Sequence, residues 1–69
     1  MDLYDVVVLK EDMPSLGLPK GSKGVVVSIF DNPVRAYEVE FCDDDGSTLC
    51  EVALTPEQIE GDESTDQAD

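Results

Sequence analysis

Three observations predict an all-β fold. The run Gly24-Val25-Val26-Val27-Ser28-Ile29-Phe30 is β-branched and aromatic almost throughout, which suits a pleated, buried surface. Asp31-Asn32-Pro33 breaks that run, because proline has no N–H for a ladder and Asp and Asn favour turns. From Ala36 the chain alternates, with Tyr37, Val39 and Phe41 on one side and Glu38 and Glu40 on the other. That is the period of a strand with one wet face. The two segments make a hairpin, and the rest of the chain reads as strands and loops added to it.

Taken in order, Asp5-Val6-Val7-Val8-Leu9 is a first strand, β-branched and too short for a helix. An apolar run of this kind leaves open whether Val6 and Val8 or Val7 and Leu9 face inward. Residues Lys10 to Lys23 follow as a long loop, punctuated by Pro14, Gly17, Pro19 and Gly21 too often for a regular element. Leu16 and Leu18 are its expected anchors, dipping back to cap the open end of the core. Pro19-Lys20-Gly21-Ser22 fits a type II turn with proline at the first central position. Gly24 opens the central hairpin.

Beyond Phe41 and Cys42, Asp43-Asp44-Asp45-Gly46 precedes a second strand-like run, Ser47 to Leu54. Asp45-Gly46 is a strong hairpin signal, since a type I′ turn needs positive φ at both central residues. Thr55-Pro56-Glu57-Gln58 is a helix-start pattern, with Thr55 as N-cap, Pro56 at the first position and Gln58 at the third. Gly61 stops it, which predicts a single closing 3₁₀ turn with Ile59 packed inward. The expected architecture is therefore a small SH3-like barrel of four to five antiparallel strands, with a long first loop and a closing 3₁₀ turn. An OB-like barrel is the alternative, and it usually wants a fifth strand and a helix. The barrel is expected over residues 1–60, and a disordered acidic tail over residues 61–69.

A chain of 69 residues holds one small core. At roughly 0.05–0.15 kcal/mol per residue its net stability is only a few kcal/mol. A buried catalytic cleft is hard to build on that, and a binding surface is easier. Seventeen acidic against four basic residues give a formal charge of −13, without a histidine. Such a surface repels phosphate and anionic membranes, so neither nucleic acid nor membrane is an expected partner. It attracts a basic protein surface and speeds encounter with it. No apolar run is long enough to span a bilayer, and the N-terminus lacks a signal peptide's basic and apolar regions. A cytoplasmic location follows, with Cys42 and Cys50 as unlinked thiols.

Little in the chain carries chemistry. Asp43-Asp44-Asp45 are consecutive, unlike the alternate ligands of an EF-hand loop, and read as a solvated turn. Two cysteines without histidine do not complete a zinc set. Glu38 and Glu40 share a strand face, where alternating carboxylates usually form the wet side rather than an acid–base pair. No catalytic residue, cofactor or metal is expected. The remaining feature is surface. Glu38, Glu40, Asp43, Asp44 and Asp45, with Glu51 across the hairpin, gather acids on one edge. Tyr37 stands beside them as an apolar anchor, with Phe30, Val34 and Tyr4 as further candidates. An apolar centre within an acidic rim suits a basic partner.

The residues also carry a resemblance. Asp5-Val6-Val7-Val8-Leu9, Asp12-Met13-Pro14, Leu18 to Val27, Ala36-Tyr37-Glu38-Val39-Glu40-Phe41, Asp45-Gly46 and Leu54 resemble a family of small bacterial proteins known only as a domain of unknown function. The likeness covers about Leu3 to Glu60. More distantly the layout resembles KOW-type barrels, a small barrel protein of the photosystem I reaction centre and the nitrile hydratase β-subunit domain. These resemblances imply a docking or structural module. The chain departs from KOW and photosystem modules in lacking their basic residues. The expectation is a non-enzymatic module, monomeric or weakly self-associating, that docks on and modulates a basic-surfaced protein partner. The alternatives are an antitoxin or immunity protein that occludes a toxin's basic site, or an assembly factor for a metalloenzyme.

Overall fold

The computed structural model describes residues 1–43 and 45–62. Five antiparallel strands form one sheet: β1 (Val6–Leu9), β2 (Lys23–Phe30), β3 (Ala36–Cys42), β4 (Thr48–Leu54) and β5 (Ile59–Gly61). Their order across the sheet is β4-β3-β2-β1-β5. The all-β class is as the alternation and β-branched runs imply, with a fifth strand present. The sheet gathers a single core. Val7 and Leu9 from β1, Val26 from β2, Tyr37, Val39 and Phe41 from β3, Leu54 from β4 and Ile59 from β5 are all buried. For β1 this settles which set points inward: Val7 and Leu9 are buried, and Val6 and Val8 only half so.

The central hairpin pairs as its pattern demands, Val26 with Val39 and Ile29 with Tyr37. One residue, Val27, is extra on β2 between the Val26–Val39 and Ser28–Glu38 pairs. Such a bulge bends a strand and raises its twist, which helps a small sheet wrap its own core. Gly24 pairs with Phe41 near the start of β2, with its face turned into the core. A Cβ built there would lie 2.6 Å from Val39 Cγ1 and 2.9 Å from both Glu40 O and Phe41 Cδ1. Only glycine fits.

The first loop is more ordered than its punctuation suggests. Pro14–Leu16 forms a 3₁₀ turn, and Met13 and Leu18 bridge across it. Leu18 is the loop's anchor, but Leu16 is exposed, because the 3₁₀ turn carries it outward. The turn at Pro19 closes by the Ser22 N–H donating to Pro19 O, so Pro19 is its first residue and Gly21 (φ 91°) its second central one. That is where a type II turn wants glycine, one place from the expected register.

The closing segment also differs. Gln58 N–H donates to Thr55 O (3.0 Å), and the Gln58 side chain accepts the Thr55 N–H (2.9 Å), the reach-back bond of a capping box. The chain turns once and does not become 3₁₀. It enters β5 instead, because Ile59, Glu60 and Gly61 find the free side of β1. The ladder continues past the expected boundary at residue 61: Gly61 pairs with Val7, and Asp62 N–H donates to Val6 O. The Asp62 side chain is buried and meets Lys23 Nζ at 3.3 Å. The rest of the expected tail, residues 63–69, lies outside the described residues.

Candidate functional site

The β3–β4 ladder sets the site. It pairs Glu38 with Ala53, Glu40 with Glu51 and Cys42 with Thr48 on the outer face. Because side chains alternate along a strand, the same register that buries Tyr37, Val39 and Phe41 lifts Glu38 and Glu40 outward. Glu51 thus stands directly across from Glu40 and diagonal to Glu38. Three carboxylates share one patch of sheet. Glu40 Oε2 accepts a hydrogen bond from Thr48 Oγ1 at 2.6 Å. The Glu51 carboxyl is pushed above its ordinary value, chiefly by a hydrogen bond shared with Glu38, then by partial desolvation and by the charges of Glu38 and Glu40. The ion pairs among the described residues are Lys23–Asp62 and Arg35–Asp31, and neither reaches this patch.

The aspartates serve a different purpose. Asp43 Oδ1 accepts the N–H groups of Asp45 and Ser47, each at 3.1 Å, and Asp45 Oδ1 accepts that of Ser47 as well. The Asp45 carboxyl is held below its ordinary value, first by its hydrogen bond with the Asp43 side chain and then by Ser47. These acids tie the hairpin turn together and remain exposed. Asp44 lies outside the described residues. The turn is not the expected type I′, since Gly46 (φ 90°) has positive φ and Asp45 does not. Asp43 N–H bonds Ser47 O instead, and β4 absorbs the extra residue as an irregularity beside Leu49. Phe41 still pairs with Cys50, as a two-residue loop requires, but Cys42 meets Thr48 rather than Leu49. Both thiols are free, Cys42 exposed and Cys50 half-buried against the core.

One expected site residue moves out of the site. Tyr37 is only 4% exposed, so its ring is core and offers no anchor to a partner. Its hydroxyl lies 3.4 Å from Arg35 Nη1, and the Arg35 guanidinium stands 5.9 Å from the ring centroid. The alternation that set Glu38 and Glu40 outward already required this burial. Leu49, 56% exposed at the hairpin end of β4, is a large apolar residue on the same outer face as the acids, and the sequence reading missed it. Its exposure follows from the alternation of β4, which turns Cys50, Val52 and Leu54 toward the core and Leu49, Glu51 and Ala53 outward. Tyr4, Phe30 and Val34 are exposed as expected. Tyr4 is also the single non-glycine with positive φ (70°) among the described residues. It is fixed there by donating its N–H to Val26 O.

Among the described residues no group of three or more Cys, Asp or Glu is arranged to hold a metal ion. No helix among them is long and apolar enough to cross a membrane. The hollow beside the first loop is walled by Asp12, Pro14, Gly17, Leu18 and Pro19, and Asp12 Oδ1 there already accepts the Lys20 N–H.

Residues 3–61 match the model of the family described as a domain of unknown function (DUF4926). The chain belongs to that family. No curated protein and no solved structure matches it.

Proposed function

We propose that this chain is a non-enzymatic acidic module that docks through the outer face of β3–β4 on a basic surface of a protein partner. The observation that supports this reading is the Glu40–Glu51 pair. Like charges directly opposite on an antiparallel ladder are destabilising, and Glu38 adds a third carboxylate. Natural sequences usually avoid a local conflict of this kind unless something compensates it. Lysine or arginine side chains from a partner supply that compensation. Leu49 gives the patch an apolar contact, and Asp43 and Asp45 extend the negative field along the hairpin. The distant resemblance to small docking barrels is consistent with this role.

The test compares the wild-type chain with a Glu38→Lys/Glu40→Lys variant, both tagged and used to capture partners from native lysate. The reading expects a stoichiometric partner that the wild type holds at low salt and releases at moderate salt, and that the variant does not hold. Equal capture by both chains, or capture by neither, overturns it. A partner that is toxic alone and silenced by the chain would make the module an antitoxin. A metalloenzyme partner would make it an assembly factor.

A further inference from the structure

The sheet ends on two strands of unequal reach. β5 presents a three-residue edge, and β4 a seven-residue one. Among the described residues the backbone of β4 bonds only to β3, so the N–H and C=O groups on its other side face no strand. Natural edges are commonly blunted by proline, lysine, bulges or shortness. β4 contains neither proline nor lysine, and its irregularity is confined to the hairpin end. Residues Cys50 to Leu54 keep regular register with β3. This is a template for strand addition.

We infer that the free edge of β4 accepts an extended segment of a partner protein bearing lysine or arginine at the position opposite Glu51. The inference rests on the acidic docking reading and names the part of the partner that docks. Charge selects the occupant. Glu51 is the midpoint of β4, so two copies pairing antiparallel about their centres would set Glu51 against Glu51, beside both Glu40 side chains. Each copy also carries a formal charge of −13. A second copy is therefore the wrong occupant. A cation opposite Glu51 stands within about 5 Å of it on the same face, and turns a like-charge cluster into an alternating one. The residues two places to either side of that cation fall beside Ala53 and the Leu49 end of the strand, both exposed and apolar. The pattern recognised is apolar, any, basic, any, apolar, in extended form.

The test titrates a synthetic seven-residue peptide with a central lysine and leucines two places on either side into the isotopically labelled full chain. Amide hydrogen exchange is read residue by residue. Exchange should slow along Cys50–Leu54 and stay unchanged in β5, and binding should weaken with salt. The same peptide N-methylated at alternate amides keeps its charge and loses its ladder bonds. It should bind about tenfold more weakly or worse. Equal binding of the methylated peptide overturns strand addition and leaves acidic docking standing. Equal binding of a peptide with central glutamate overturns the acidic reading itself. Protection of β4 that grows with protein concentration in the absence of peptide gives the edge to a second copy and overturns the inference. So does an absence of any peptide effect on β4.

Discussion

The two faces of the β3–β4 ladder share one backbone and one register, yet they are built on opposite rules. Inside, Tyr37 faces Leu54, Val39 faces Val52 and Phe41 faces Cys50, apolar against apolar. Local propensity, alternation and burial agree at each of those positions. Outside, Glu40 faces Glu51 with Glu38 on the diagonal, and the pairing opposes itself. Stability therefore resides on one face. The other carries a like-charge conflict, and that conflict is what the proposed docking role rests on.

The most forceful way to break that contrast is on the inner face. Phe41 is the largest of the fully buried side chains, at 1% exposure. Phe41→Ala should cost about 3–5 kcal/mol, comparable to the whole net stability of a fold this size. The variant is expected to show no cooperative thermal transition by circular dichroism at room temperature and above. A melting point within a few degrees of wild type would show that the inner face is not where the stability lies.

Next in size is Gly24, where β2 lies against the backs of Val39 and Phe41. An alanine methyl would press on two side chains and on Glu40 O, and a backbone carbonyl does not turn aside as a side chain does. Gly24→Ala should lose about 1–3 kcal/mol by overpacking. In urea this appears as a lower midpoint with an unchanged slope. An unchanged midpoint would mean that the two strands have room to part, and the tight fit at Gly24 would have to be abandoned.

Much of this was legible in the sequence, and the reasons differ by region. The Tyr37–Val39–Phe41 alternation set both faces of β3, because a one-residue slip would have exposed all three. The acidic patch followed from the same alternation. It also implied that Tyr37 is core, a consequence that runs against using that residue as an anchor. What escaped depends on tertiary partners. β5 exists because β1 offers a free side to Ile59–Gly61, and nothing local in three residues announces a strand. The Pro14–Leu16 turn and the exposure of Leu16 hang on the Met13–Leu18 bridge. Leu49 was open to the argument from alternation, since pairing Phe41 with Cys50 already turns it outward; only its loss of Cys42 as a partner depends on the irregularity in β4. Asp-Gly locates a turn, but positive φ at Gly46 alone selects a different one.

The smallest expected effect is on the outer face, and it has the opposite sign. Glu51→Gln should stabilise the isolated chain slightly at neutral pH while weakening its hold on a basic partner. The pH dependence isolates the cause. The folded chain holds the Glu51 proton more tightly than the unfolded chain does, through the hydrogen bond to Glu38 and the nearby charges. Its contribution to stability is therefore fully present below the ordinary carboxylate value, and is lost as pH rises through the raised one. Asp45 acts in reverse. Its carboxyl is held low in the folded turn, so its contribution is present above the ordinary value and lost as pH falls. The wild-type curve mixes the two, and the difference between Glu51→Gln and wild type separates them. The two chains should differ least in acid and diverge as pH rises, with the variant the more stable. Parallel curves across that range would mean that Glu51 feels no crowding, and the outer face would then be an ordinary wet surface.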